Sequence, residues 1–93
     1  MEFKHVPGKN KGKLVLYALS TCIWCKKMKK LLNDLGLEYS YVDVDLLDEV
    51  DENEAVSVIK KFNPRGSFPT LVINNETCVA GYEETKVRTL AQS

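Results

Sequence analysis

Apolar residues fall along the chain in runs whose period changes several times, and each period predicts a different element. Leu14, Val15, Leu16, Tyr17, Ala18 and Leu19 form an unbroken apolar run, which suits a strand buried on both faces. From Cys22 to Leu35 the spacing becomes helical, with Met28, Leu31, Leu32 and Leu35 on one stripe and Lys26, Lys27, Lys29 and Lys30 elsewhere around the wheel. Ser20 and Thr21 read as the turn and N-cap before this helix, and Gly36 ends it. Residues 37–44 are rich in Tyr and Val and predict a second strand. An acidic stretch, Asp48 to Glu54, opens a second helix through Ala55, Val58, Ile59 and Phe62, closed by Asn63, Pro64, Arg65 and Gly66. Residues 70–73 and 77–80 predict a hairpin around Asn74 and Asn75, and a last helix runs from Glu83 to about Gln92. The order β-α-β-α-β-β-α gives an α/β fold with a mixed four-stranded sheet flanked by helices.

Residues 1–13 mix Lys, Gly, Asn and Pro without apolar periodicity and read as a flexible basic lead-in, leaving 14–93 as one domain. At 93 residues, 44% hydrophobic and 28% charged, the chain has room for one core, and disordered or fibrous classes are excluded. Net charge is zero, so no overall field draws nucleic acid or a membrane surface. The charge is nevertheless uneven: +7 over residues 1–30, −9 over 31–59 and +2 over 60–93. No apolar run is long enough for a transmembrane helix and no signal-peptide core is visible, so the expected location is cytoplasmic. In that reducing compartment three cysteines point to redox or metal chemistry rather than a disulfide framework.

Cys22-Ile23-Trp24-Cys25 is a C-x-x-C pair directly after a buried strand and at the start of a helix. Helix N-termini present unpaired N–H groups and positive potential, which lower a cysteine pKa from about 8.5 toward roughly 3.5–7.5. Cys22, at the helix end, is the expected exposed nucleophile, and Cys25, one turn in toward Met28 and Leu32, the resolving thiol. The chemistry that this pair suits is thiol–disulfide exchange. Zinc would need two further ligands, and only Cys78 and His5 remain, so no metal is expected. Cys78, inside a β-rich stretch, reads as a small packing residue.

The sequence resembles a dithiol glutaredoxin of the thioredoxin fold from Leu14 to the last helix. Cys22-Ile23-Trp24-Cys25 is similar to the family's Cys-Pro-Tyr-Cys, and Lys29, Leu32, Gly36 and Tyr39 fall on its helix and G-x-x-Y positions. Phe68-Pro69-Thr70 resembles its Val-Pro segment with a cis proline, and Ala80-Gly81-Tyr82-Glu83-Glu84 its Gly-Gly-x-Asp-Asp segment. The resemblance implies a disulfide oxidoreductase with no bound cofactor, using glutathione or another small thiol as cosubstrate. Its partners would be disulfide-containing proteins and low-molecular-weight thiols; the alternative donor is a flavoprotein reductase, and a metal or cluster-binding module is a further reading. By the same resemblance Thr21 and Trp24 flank the thiol, and the Phe68 backbone beside Pro69 pairs with the cysteinyl part of glutathione. Glu83, with the N–H groups from Gly81 through Tyr82 to Glu84, meets the γ-glutamyl end. The sequence departs from the family pattern at Ile23 (Pro), Ala80 (Gly), the two Glu residues (Asp) and Leu19 (Lys), which leaves Arg65 to substitute as the cation.

Overall fold

Strands β1 (Lys4–Val6), β2 (Leu14–Ala18), β3 (Tyr39–Asp43), β4 (Thr70–Ile73) and β5 (Thr77–Ala80) form one sheet of order β1-β3-β2-β4-β5, with β2 at its centre, in a computed structural model that describes residues 1–93. Strand β2 runs parallel to β3 and antiparallel to β4, and β4 pairs antiparallel with β5. Helix α1 (Ile23–Asp34) forms the β2–β3 crossover. A short 3₁₀ turn (Val44–Leu46) and α2 (Glu49–Phe62) lead from β3 to β4, and α3 (Glu84–Gln92) closes the chain.

The unbroken apolar run has the meaning expected of it. Leu14, Leu16 and Ala18 face one core with Met28, Leu32, Leu71 and Val87, under α1 and α3. Tyr17 faces the other, with Val42, Val72, Ala55 and Ile59, under α2. Only a strand with helices on both faces buries consecutive residues in this way.

Helix ends follow local chemistry. Asp48 caps α2 by accepting the Asp51 N–H at 2.8 Å, with Glu49, Asp51 and Glu52 in the first turn and Lys60 and Lys61 in the last. Helix α1 ends in a Schellman arrangement: the Gly36 N–H donates to Asn33 O and the Leu37 N–H to Leu32 O, with Gly36 at φ +67°. Asn74 and Asn75, at φ 54° and 55°, take the left-handed central positions of a turn closed by the Glu76 N–H to Ile73 O at 3.1 Å, within the three-residue loop between β4 and β5.

Two expectations are corrected. The sheet has five strands rather than four, because Lys4–Val6, within the supposed flexible lead-in, forms β1 against β3 with Lys4 opposite Tyr41. The rest of that segment is also anchored, since the Lys9 N–H donates to Gly36 O at 2.7 Å and the Glu38 N–H to Lys9 O at 2.9 Å. Gly8 permits this close approach, because a Cβ there would lie 2.5 Å from Gly36 O. Lys4 and His5 are exposed and only Val6 packs against the core, so the strand is held mainly by backbone pairing, with the Phe3 ring on Tyr17 beside it, and it carries no apolar periodicity to read. The second correction concerns α1, whose N-cap is Cys22 and not Ser20 or Thr21.

Candidate active site

The end of β2 delivers residues 19–22 to the top of the sheet, where the Cys22 N–H donates to Leu19 O and closes a tight turn. Cys22 then adopts the extended conformation of a capping residue, and its Sγ accepts the Cys25 N–H at 3.2 Å. The sulfur expected to react is thus the atom that satisfies the first turn of α1, at the end where the helix dipole is positive. Cys22 is half-buried and Cys25 fully buried in the core beneath α1.

Burial pushes the Cys25 thiol up to about 12, helped by its hydrogen bond to Cys22 and the Cys22 charge, against an opposing backbone hydrogen bond at Leu19 and the Lys29 charge. Cys25 is therefore protonated at neutral pH. Because folding raises this pKa, the stability it contributes is complete below the ordinary thiol range and is lost as pH climbs through about 12. Alkylation with iodoacetamide at neutral pH should accordingly modify Cys22 first and leave Cys25 intact until the protein is denatured, read by peptide mass. Fast labelling of Cys25 in the folded protein would contradict this geometry. Cys78 is half-buried and donates its S–H to Phe62 O at 3.3 Å, consistent with a packing role.

Five residues singled out from the sequence line one open cleft of about 230 Å³: Trp24, Phe68, Pro69, Gly81 and Tyr82. The Phe68–Pro69 peptide is cis, and the Gly81 N–H donates to Pro69 O at 2.8 Å, joining the two segments across the cleft floor. Trp24 is 54% exposed and its ring lies 5.6 Å from that of Tyr82, forming one wall. The other nominated residues are elsewhere. Thr21 is exposed beside Cys22 but does not line the cleft, and Arg65 is exposed in the turn after α2, also outside it. Glu83 pairs with Lys86 at 3.1 Å and Glu84 with Arg88 at 2.6 Å, so both carboxylates are already engaged along α3.

Two supports of the site were not visible in the sequence. Asp45, in the 3₁₀ turn, accepts hydrogen bonds from both the N–H and the hydroxyl of Ser20, clasping the loop before Cys22. Those bonds hold the Asp45 carboxyl below its usual range. On the other side, buried Asn63 donates through Nδ2 to Thr70 Oγ1 at 3.0 Å and Ser67 Oγ at 3.1 Å, while the Thr70 hydroxyl donates to Ser67 O. This network fixes the segment that carries Phe68. Asn63 read only as a helix breaker, and Ser20 and Asp45 are separated by 25 positions, so no local spacing exposes either device. No third His, Cys, Asp or Glu joins the cysteine pair in a group that could hold a metal ion.

The family model for glutaredoxin matches residues 14–78. Among solved structures, the glutaredoxin from Methanosarcina mazei Go1 superposes with a TM-score of 0.92 at 46% identity, covering 100% of this chain and 90% of that one. The methanoredoxin of Methanosarcina acetivorans gives a TM-score of 0.89, also at 46% identity, over 92% of this chain and 90% of that one. An uncharacterized glutaredoxin-like 8.6 kDa protein in a Clostridium pasteurianum rubredoxin operon is 27% identical over 77 residues, 83% of this chain and 95% of that protein. Against an uncharacterized monothiol glutaredoxin of Caenorhabditis elegans, identity is 28% over 75 residues, and the chain spans about half of that protein's length (49%). The thioredoxin-like sheet, the C-x-x-C pair capping its first helix and the match over most of the chain lead to one conclusion: this chain belongs to the glutaredoxin family.

Proposed function

We propose that this protein reduces disulfides through Cys22 and Cys25 and is itself restored by a low-molecular-weight thiol. The observation that carries the reading is the division of labour within the pair: Cys22 Sγ at an open helix end, and Cys25 buried and protonated one turn below.

In the first step the Cys22 thiolate attacks one sulfur of a substrate disulfide. The substrate S–S bond breaks, a Cys22–substrate bond forms, and the departing sulfur leaves as a thiolate that takes up a proton. Once Cys22 is in a mixed disulfide, its negative charge is gone, and one of the influences holding Cys25 protonated goes with it. Cys25 then gives up its proton and attacks Cys22, expelling the second substrate sulfur as a thiol. Two electrons have passed from the dithiol to the substrate, leaving a Cys22–Cys25 disulfide. Two equivalents of small thiol reverse this and depart as a disulfide.

The cleft, lined by Trp24 of the C-x-x-C segment but not by Cys22 itself, suits a small ligand only in part. Sites that enclose a whole drug-sized molecule run from about 300 to 1,000 Å³, whereas this one holds about 230 Å³ and is open. It admits the thiol-bearing portion of a ligand against Trp24, Phe68 and Tyr82, with the remainder on the rim. Glutathione carries two carboxylates, and the cleft offers them few partners: Leu19 stands where the family has Lys, Arg65 lies outside, and the nearby cations Lys86 and Arg88 are already paired with Glu83 and Glu84. These same features favour a second reading, in which another small thiol or a flavoprotein reductase is the electron donor to a thioredoxin-like role.

Equilibration in glutathione buffers of graded redox ratio, followed by an acid quench, alkylation and intact mass, separates these readings. Loss of two alkylatable thiols that tracks the buffer, with a glutathione adduct accumulating in Cys25→Ser, assigns glutathione as donor. Disulfide formation without an adduct moves the donor to another thiol or a reductase. No disulfide at any ratio overturns the redox function.

A further inference from the structure

Lys26, Lys27, Lys29 and Lys30 look equivalent as a cluster, yet the fold gives them different surroundings. Lys29 Nζ is bound to Asp43 on β3 at 2.9 Å and lies 4.3 Å from the centre of the Tyr41 ring, on the side of α1 that meets the sheet. Lys30 pairs with Asp34 one turn on, at 2.8 Å. Lys26 is exposed and lines no cavity. Lys27 has no carboxylate partner, and its ammonium sits 4.5 Å over the face of the Trp24 ring. A lysine on an indole face has a favoured resting place, so its charge is held near the cleft wall instead of sweeping through solvent.

Behind that wall lies a groove of about 260 Å³ between α1 and α3, which shares Tyr82 with the cleft. Its charged lining is Lys27, Lys30 and Arg88 against Asp34 and Glu84. Two of the cations are neutralised within the groove, Lys30 by Asp34 and Arg88 by Glu84. The surplus positive charge beside the Trp24–Tyr82 pair is therefore Lys27 alone.

We propose that Lys27 is a specificity-determining residue that binds the anionic group of the small thiol cosubstrate, selecting carboxylate-bearing thiols over neutral and cationic ones. The inference rests on the small-thiol reading above and adds the charge class of the thiol. Lys27 Nζ rests on the Trp24 ring that lines the cleft, so a thiol lying along Trp24 would present its anionic tail to that ammonium at the rim. The site is solvent-exposed, and exposed ion pairs are weak and screened by salt. The expected selectivity is accordingly about threefold to fivefold.

The test follows reduction of the Cys22–Cys25 disulfide by three thiols of matched size: 3-mercaptopropionate (anionic), 2-mercaptoethanol (neutral) and cysteamine (cationic). Trp24 is the only tryptophan, so stopped-flow fluorescence reports the reaction directly. Comparing each variant with wild type, thiol by thiol, cancels the intrinsic reactivity of each reagent. Lys27→Gln should lower the anionic-to-neutral rate ratio by about threefold to fivefold and raise the cationic-to-neutral ratio, Lys27→Arg should retain the wild-type ratios, and 1 M salt should flatten them in wild type. Lys9→Gln, which removes the same charge at the opposite end of the sheet, should leave the ratios as they are. Unchanged ratios in Lys27→Gln overturn the proposal while leaving the small-thiol function standing. Failure of all three thiols to reduce wild-type protein overturns both.

Discussion

Replacing Cys22 by Ser should remove disulfide exchange, lowering the rate by a factor on the order of 10⁴ or more, the scale on which loss of a covalent nucleophile is felt. A hydroxyl keeps the capping geometry, because serine is itself a good N-cap and can accept the Cys25 N–H. The fold should therefore survive while the chemistry does not, which separates the role of the sulfur as nucleophile from its role as cap. Cys25→Ser should behave differently. The first attack needs only Cys22, so a mixed disulfide forms and, with no buried thiol to resolve it, persists as a mass adduct until an external thiol removes it. Turnover with a protein disulfide, followed alongside intact mass and circular dichroism, checks both variants. Full activity in folded Cys22→Ser would falsify the mechanism, and rapid, adduct-free turnover in Cys25→Ser would remove Cys25 from it.

Leu32→Ala should be strongly destabilising. Leu32 is fully buried on α1, in the same core as Cys25, Met28, Leu16 and Leu71, and truncating a leucine in such a position costs about 2–5 kcal/mol in lost burial and residual cavity. A domain of this size has only about 5–15 kcal/mol in total. Leu46→Ala, at a residue 70% exposed, should stay within about 0.5 kcal/mol of wild type. Urea unfolding of the two variants gives the contrast directly. Equal midpoints would mean that the helix–sheet core does not carry the stability assigned to it here. The buried face of α1 also holds Cys25 below Cys22, so partial loss of packing at Leu32 should raise the rate at which Cys25 is alkylated.

Much of this architecture was legible because its signals are local. The apolar run at Leu14 to Ala18 marks a strand covered on both sides, and the stripe through Met28, Leu31 and Leu32 marks the helix that covers it. Asp48, Gly36 and the Asn74-Asn75 turn signal their own positions, since capping and left-handed turns depend on a few adjacent residues. Strand β1 escaped because its three residues are held by backbone pairing with β3 and leave Lys4 and His5 exposed. The cap of α1 was misplaced by one or two residues because cysteine is not among the usual capping residues, and here its sulfur takes that role.

For the site, sequence alone determined the chemistry: two thiols three residues apart, entering a helix after a buried strand, with the Phe68-Pro69 and Gly81-Tyr82 segments to follow. Tertiary structure decided how that chemistry is apportioned and supported. It brought Trp24, Phe68, Pro69, Gly81 and Tyr82 to one cleft and left Thr21 and Arg65 outside it. It buried Cys25, tied Ser20 to Asp45 and Asn63 to Thr70, and spent the charges of Lys29, Lys30, Glu83 and Glu84 on neighbours while leaving Lys27 free. The reason is physical: a residue's type and its near neighbours fix what it can do, but burial and pairing arise from groups far apart in the chain, and only folding sets those distances.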